Sequence, residues 1–365
     1  MATSYKALAA SDRVTTRTLL HENIPITGTI VSGTYKGPQT GGPEGRELNI
    51  KTFSHGMYQS VYDYPYVSSS ANHIFDIAVG FSTHGLSGSA ASVAGSQVAK
   101  KVNMYNRIAQ TLAGYDSDGN IRRFDVDGSL GGANDHKHDN AFFLSFSRLL
   151  VKDEIKKGTF SLTLGTNAAY ATPFDGGQEI TISDSAATGS YLINSPAGEY
   201  GLLFTGTVFD TTEATPVGLL YYQAGIAVLT SSVFGPSTIM ALEEDGGGSG
   251  YNVENLLTGS SIDAFADAVR HRVKNIQFNN TTELNSTVYF CRAHHNEFNY
   301  SSNTTYLTGS RVRTMEPILG GLPSSYVTTV GLYSADNELL AVAKLSEPLK
   351  KQPTNELTLR VRLDY

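Results

Sequence analysis

The sequence predicts an α+β chain, mostly β. Its antiparallel sheets form a sandwich-like arrangement, with two principal helices near residues 92–113 and 261–272. Three observations carry this expectation. Apolar residues alternate with polar ones over short runs, the period that a strand with one buried face requires. Turn signals separate these runs at short intervals, as β-rich chains demand. Only two stretches show apolar residues at helical spacing, which argues for helices set among sheets rather than an α/β alternation.

The chain has 365 residues, enough for two or three domains, with 40% hydrophobic residues and a charged fraction of 17%, low for a globular protein. Tyr and Phe are abundant, Trp is absent and Gly numbers 36, a mixture suited to strands joined by many turns. The net charge is −7, which disfavours a nucleic-acid partner. Cys291 is the one cysteine, so no internal disulfide forms. The opening residues Met1–Lys6 lack the apolar core of a secretory signal, and the apolar run Val217–Leu229 is too short to cross a bilayer. The expectation is a protein that folds in a reducing cytoplasm, without a membrane partner. The sequons at Asn279, Asn280, Asn285, Asn299 and Asn303 read as polar loops.

Residues 1–50 are polar and rich in Gly and Pro, and read as an N-terminal arm or loop-rich segment with one strand at 24–31. A main β-rich domain over 51–242 follows. It opens on a buried strand at His73–Phe81 and a helix from Ser92 to Ala113, whose Val98, Val102, Tyr105, Ala109 and Leu112 share one face. Lys100, Lys101, Asn103, Asn106, Arg107 and Gln110 form its polar face, and Gly114 stops it. Tyr115–Ile121 has a hairpin signature. Phe142–Val151 is apolar, and the charged segment Lys152–Lys157 is compatible with a helix. Strands are expected at 159–164, 178–183, 189–194 and 200–209, and Val217–Phe234 reads as one or two buried strands or a buried helix.

Glu243–Gly250 reads as a Gly-rich linker or as an exposed loop tip within one domain, and residues 251–365 as a C-terminal α+β segment. Ser260 or Ser261 caps its helix, whose apolar face is Ile262, Phe265, Ala266 and Val269. Strands at 275–279 and 286–293 lead to an antiparallel meander over Tyr326–Tyr365. In its last strand Leu357, Leu359, Val361 and Leu363 face one way, and Thr358, Arg360, Arg362 and Asp364 the other. If that strand lies at a sheet edge, its unpaired backbone is a docking site. Leu357, Leu359, Arg360, Val361, Arg362, Leu363 and Tyr365 are therefore the candidate interface.

The run VGLYSADNELLAVAKLSEPLKK at 330–351, followed by LTLRVRLDY at 357–365, resembles the C-terminal end of virion structural proteins of contractile-tailed bacteriophages, especially of the cyanophage type. The segments Phe290–Arg292 through Asn296–Ser301, Phe146–Gly158 and Val217–Leu229 resemble the same family, so the likeness runs in pieces from about residue 50 onward. It implies a location in the virion and, as partners, other virion proteins.

Three clusters bear on chemistry. In Asp135–Asp139, His136 and His138 at a two-residue step can face one divalent ion; the simpler reading is a solvated loop. Asp116, Asp118 and Asn120 have the opening spacing of a calcium loop, but Gly119 and Ile121 depart from the rest of that pattern, and a turn explains them. Cys291 with His294, His295 and Glu297 contains a thiol and an imidazole, yet Cys291 on a strand reads as a small apolar side chain. No phosphate loop, nucleophile elbow, dinucleotide fingerprint or zinc-protease helix occurs. Lys350 and Lys351 with Arg360 and Arg362 form a local positive patch.

The leading expectation is a non-enzymatic virion component of the tail, baseplate or neck, without cofactor or metal, acting as a homo-oligomeric ring. A capsid-surface decoration protein is one alternative. A receptor- or glycan-binding tail protein is the other, with Tyr for sugar stacking and a carboxylate pair for hydrolysis.

Overall fold

The computed structural model describes residues 5–21, 49–85, 96–128, 137–167, 173–205, 216–234, 261–301, 303–308, 311–312 and 321–365. Its contacts group the chain into two units: residues 20–282, and residues 1–19 together with 283–365. The segment expected as an arm thus contributes a strand, β1 (Arg13–His21). The helix at 262–272, expected in a C-terminal segment from 251, belongs to the larger unit, because the strand that follows it joins that unit's sheet. The strand expected at 24–31 and the linker at 243–250 lie outside the described residues.

In chain order the larger unit contains β2 (Ile50–Thr52), β3 (Gln59–Tyr62), β4 (His73–Phe81), helix α1 (Ser96–Leu112), β5 (Phe124–Asp125), β6 (Lys137–His138) and β7 (Asn140–Phe146). There follow the short helix α2 (Arg148–Val151), β8 (Glu154–Ile155), β9 (Ser161–Gly165), β10 (Glu179–Ser183), β11 (Leu192–Ser195), β12 (Gly198–Thr205), β13 (Gly218–Tyr221) and β14 (Ile226–Thr230). Helix α3 (Ile262–Arg272) and β15 (Val273–Gln277) complete it, with the first residues of β16 (Asn280–Ala293). One antiparallel sheet runs in the order β15-β9-β10-β12-β13-β14-β7-β4-β3-β2, with β11 added to β12. The α+β, mostly β class is therefore what the chain adopts.

Alternation along the central strands makes two cores. Register sets Val79 beside Phe142 and Ile77 beside Leu144 on one face, and Ala78 beside Phe143 on the other. The first face curls around α3. Phe265, Ala266, Ala268 and Val269 pack there with Phe142, Leu144, Leu220 and Leu229, and also with Leu162, Leu164 and Ile276 from the far end of the sheet. The expected sandwich-like layering takes the form of this one curled sheet. Because α3 is enclosed, its Asp267, Arg270, His271 and Arg272 are buried as well, beyond the single apolar face that its spacing predicts. Ser261 caps it, accepting from the Ala264 amide at 3.3 Å.

Helix α1 covers the second face. Tyr105, Ala109 and Leu112 pack with Ala78, Phe124, Phe143 and Tyr221. It approaches β4 closely because Gly80 has no side chain: a Cβ there would lie 2.8 Å from both the Lys101 carbonyl and the Tyr105 amide. Gly114, at φ +79°, ends the helix, and its amide donates to the Ala109 carbonyl at 3.0 Å. Lys101, expected on the polar face, is fully buried; its ammonium lies 5.0 Å from the centroid of the Phe265 ring, and burial lowers its pKa to about 8. The first turns of α1 meet the core around α3 rather than solvent.

Other local readings differ from the structure. Val217–Phe234 forms the hairpin β13–β14, turned at Gly225 with φ +65°, which settles strand over helix. Lys152–Lys157 is not helical: Lys152 has φ +56°, and Glu154 and Ile155 form β8, pairing with Thr281 and Asn280. Asn280 and Asn285, read as loop residues, lie on β16.

The smaller unit contains most of β1 and β16, then β17 (Leu307–Thr308), β18 (Arg311–Val312), β19 (Ser325–Tyr333), β20 (Leu339–Lys351) and β21 (Leu357–Asp364). One sheet has the order β1-β16-β21. The expected C-terminal meander is divided. β19 and β20 form a separate two-stranded hairpin, and β21 leaves it to pair antiparallel with β16, from Ala293↔Leu357 to Ser286↔Asp364. Alternation specifies which faces are buried but not which strand lies alongside, and register shifts between Lys344 and Leu349 and between Leu339 and Ala341 interrupt the period in β20.

Candidate assembly interface

Among the described residues, strand β21 ends the sheet order and pairs on one side only. The predicted alternation is present: Leu357, Leu359 and Leu363 are half-buried and Val361 is buried, while Thr358, Arg360, Arg362 and Asp364 are exposed. The strand's end is held in place. Tyr365 exchanges backbone hydrogen bonds with Asn285 at 2.8 and 3.1 Å, and its hydroxyl lies 3.1 Å from that of Thr287. Arg362 donates from Nε to Ser286 Oγ and to Asp364, both at 2.8 Å, so its charge is met within the sheet.

The four-cation patch expected from the sequence is reduced. Lys351 is fully buried and donates to the Asn299 side chain at 2.8 Å and to the carbonyls of Gln352 and His295 at 2.9 and 3.3 Å. Burial lowers its pKa. Its part is to fix the base of the β19–β20 hairpin to the loop after β16, where Ser325 also donates to the Phe298 carbonyl. Lys350 is half-buried.

The N-terminal residues are fastened to the same sheet by charge. Asp12 meets Arg292 at 3.0 Å, Lys6 meets Glu297 at 2.5 Å, and Arg17 pairs with Glu283. Polar contacts of this kind give orientation more than stability. Apolar burial in this unit is sparse: among its described residues, Val288 and Val361 are the buried hydrophobic side chains.

The hairpin shows where apolar surface remains. Tyr333↔Leu339, Gly331↔Val342 and Thr329↔Lys344 are cross-strand pairs on one face. That face is open: Tyr333 is 43% exposed, Leu339 51%, Val342 51% and the neighbouring Leu340 68%. Tyr5, 46% exposed, tilts against Tyr333 with ring centroids 4.5 Å apart and extends the patch. On the opposite face Val330, Leu332, Ala341, Ala343 and Leu345 are half-buried. An isolated two-stranded ribbon is at best marginally stable in water. The sequence reading missed this face. The signal was the apolar run Leu339–Ala343 placed opposite Tyr333 and Gly331, which leaves apolar side chains on both sides of a ribbon.

The chemical candidates are dispersed. His136 lies outside the described residues, and His138 is buried on β6, paired with Phe124. Burial lowers the His138 pKa to about 4, with Asp139 opposing that shift. Asp139 is itself engaged by Arg123 at 3.0 Å and by Ser82. Asp116 uses Oδ1 to accept the amides of Asp118 at 3.0 Å and Asn120 at 2.8 Å, an Asx-type turn around Gly119 at φ +81°. Asp118 is exposed in that turn. Among the described residues no three His, Cys, Asp or Glu side chains converge as a metal site. Cys291 is half-buried on β16 opposite Leu359, and burial raises its pKa. His294 and His295 lie beyond the end of β16, with Nδ1 atoms 3.9 and 3.4 Å from Glu356. No described helix is long and apolar enough to cross a membrane.

No family model matches the chain, and no curated protein or solved structure matches it either.

Proposed function

We propose that this chain is a non-enzymatic structural component of a tailed-phage virion, placed in the tail, baseplate or neck, and that it works through contacts of its smaller unit with further copies of itself and with other virion proteins. One observation carries the reading. The smaller unit holds long strands, an edge strand and a ribbon, yet among its described residues Val288 and Val361 are the buried hydrophobic side chains, while Tyr333, Leu339, Leu340 and Val342 face solvent. A fold with so little core of its own is completed by association. The resemblance of residues 330–351 and 357–365 to phage virion proteins supplies the setting. The edge residues Leu357, Leu359, Arg360, Val361, Arg362, Leu363 and Tyr365 form a second surface for neighbours.

The test is copy number per particle, from quantitative mass spectrometry of purified virions against the portal and major capsid proteins. A low count matching the symmetry of the tail axis supports the placement. A count comparable with the capsid protein moves the chain to the capsid surface. Absence from the particle overturns the reading.

A further inference from the structure

The exposed face of the β19–β20 hairpin is ordered along its length by charge as well as by polarity. At the tip stand Asp336 and Glu338, next come Tyr333 and Leu339, then Gly331 and Val342, then Thr329 and Lys344. Asp336, Glu338 and Lys344 are exposed, and among the described residues none of them makes an ion pair. The ribbon therefore has an acidic tip, and its open face an apolar middle and a basic end. Leu339 and Lys344 are five residues apart, so the patch spans roughly 17 Å along the strand.

A surface of this kind is complementary to itself. Turned half a revolution about an axis that lies in the plane of contact and crosses the strands at the Gly331–Val342 pair, a second copy sets its acidic tip over Lys344 and its Lys344 over the first copy's tip. The apolar middles then meet. Gly331 keeps the centre low, since the Tyr333 ring and Leu339 already lie over it: a Cβ at Gly331 would fall 2.9 Å from Tyr333 and 3.3 Å from Leu339. With Tyr5 46%, Tyr333 43%, Leu339 51%, Leu340 68% and Val342 51% exposed, on the order of 500 Å² of their surface is in water. A stable interface buries about 800 Å² per partner, so the apolar patch supplies a little over half of one and its polar rim the remainder.

We infer that the β19–β20 hairpin is a self-association element, and that a second copy of this chain covers its Tyr333–Leu339–Val342 face in an antiparallel, two-fold contact. The inference rests on the reading of the chain as a self-assembling part, and names the surface and the partner. The contact is isologous, so each hairpin gives and receives the same interactions. It is distinct from the edge of β21, which remains open to other neighbours.

The test is sedimentation of the full chain and of three variants, with far-UV circular dichroism and thermal melting to establish that each is folded. Leu339→Glu combined with Val342→Glu places charge in the apolar middle at positions already half in water. Lys344→Glu makes both ends of the face acidic, and Asp336→Lys with Glu338→Lys makes both ends basic. The expected result is a concentration-dependent association of the wild type. The apolar variant weakens it by about a hundredfold or more, and each charge variant alone by about tenfold. Mixing the two charge variants restores it, because the acidic face then meets the basic one at both ends.

Three outcomes overturn the inference. A wild type that is monomeric at about 100 μM removes it, leaving the virion reading to stand or fall by the particle count. A wild type that associates while all three variants associate as tightly shows assembly through another surface. Charge variants that weaken singly but do not recover when mixed exclude the antiparallel arrangement.

Discussion

The Tyr222 hydroxyl donates to the Asp184 carboxylate at 3.1 Å, and this contact joins the β13–β14 hairpin to the turn after β10. Asp184 is fully buried, and its two oxygens also accept the amides of Gly158 at 2.8 Å and Phe160 at 2.9 Å. Burial raises its pKa, while these donors pull the other way. Asp184→Ala leaves two amides and a phenol without an acceptor, and is expected to destabilise the larger unit by about 2–5 kcal/mol. Tyr222→Phe removes one bond and costs about 1 kcal/mol. Urea unfolding of both variants checks the order; a Tyr222→Phe loss equal to that of Asp184→Ala would sink the assignment of Asp184 as the acceptor hub.

His138 gives the larger unit an acid-sensitive component. Its pKa is about 4 in the fold against an ordinary 6.5, because burial disfavours the charged ring. Between those values the unfolded chain binds the proton and the folded chain does not. Stability from this group is therefore fully present above pH 6.5 and is lost as pH falls toward 4. The loss amounts to about 3 kcal/mol at most. His138→Gln cannot titrate, so its stability should fall less steeply over the same range. Equilibrium unfolding at closely spaced pH values compares the two slopes; parallel curves would show that His138 is not buried neutral.

How far the sequence could be read depends on which physical rule each element obeys. His73–Phe81 is a strand and Ser96–Leu112 a helix because their apolar periods are local, and both were legible. The turn at Asp116–Asn120 was legible for the same reason, since Gly119 and the Asx contacts are near neighbours in sequence. Pairing was not legible. Leu357–Asp364 lies beside Ser286–Ala293 rather than beside β20, a choice made by contacts between distant residues. Lys101 reads as a surface residue until the curl of the sheet brings Phe265 beneath it. Of the candidate site, the alternation of β21 could be seen in advance, whereas the open face of β19–β20 depends on a register that a bulge resets.

Gly80 should tolerate no side chain. A Cβ at this position meets the Lys101 carbonyl, the Tyr105 amide and the Tyr105 Cβ at 2.8–2.9 Å, and helix backbone cannot step aside as a flexible side chain can. Gly80→Ala is expected to push α1 away from β4 and to cost about 1–3 kcal/mol, with Gly80→Val worse. Thermal melting measures the loss. An alanine variant as stable as the wild type would mean that α1 does not pack against β4 at this distance.

Removal of residues 354–365 should separate the fates of the two units. The deletion takes away β21, and with it Val361, one of the buried hydrophobic side chains of the smaller unit. It leaves β16 paired with β1 alone and opens its other edge from Ser286 to Ala293, beside Val288, where no other described strand pairs. The larger unit keeps its own cores, because neither contains a residue beyond Phe278. The expected product is a chain whose residues 20–282 stay folded while residues from 283 onward become accessible to protease and no longer associate. Limited proteolysis with mass spectrometry locates the cuts, and sedimentation reads the association. Protection of β16 and normal assembly in the truncated chain would show that β21 is dispensable, and would remove its edge from the surfaces proposed for neighbours.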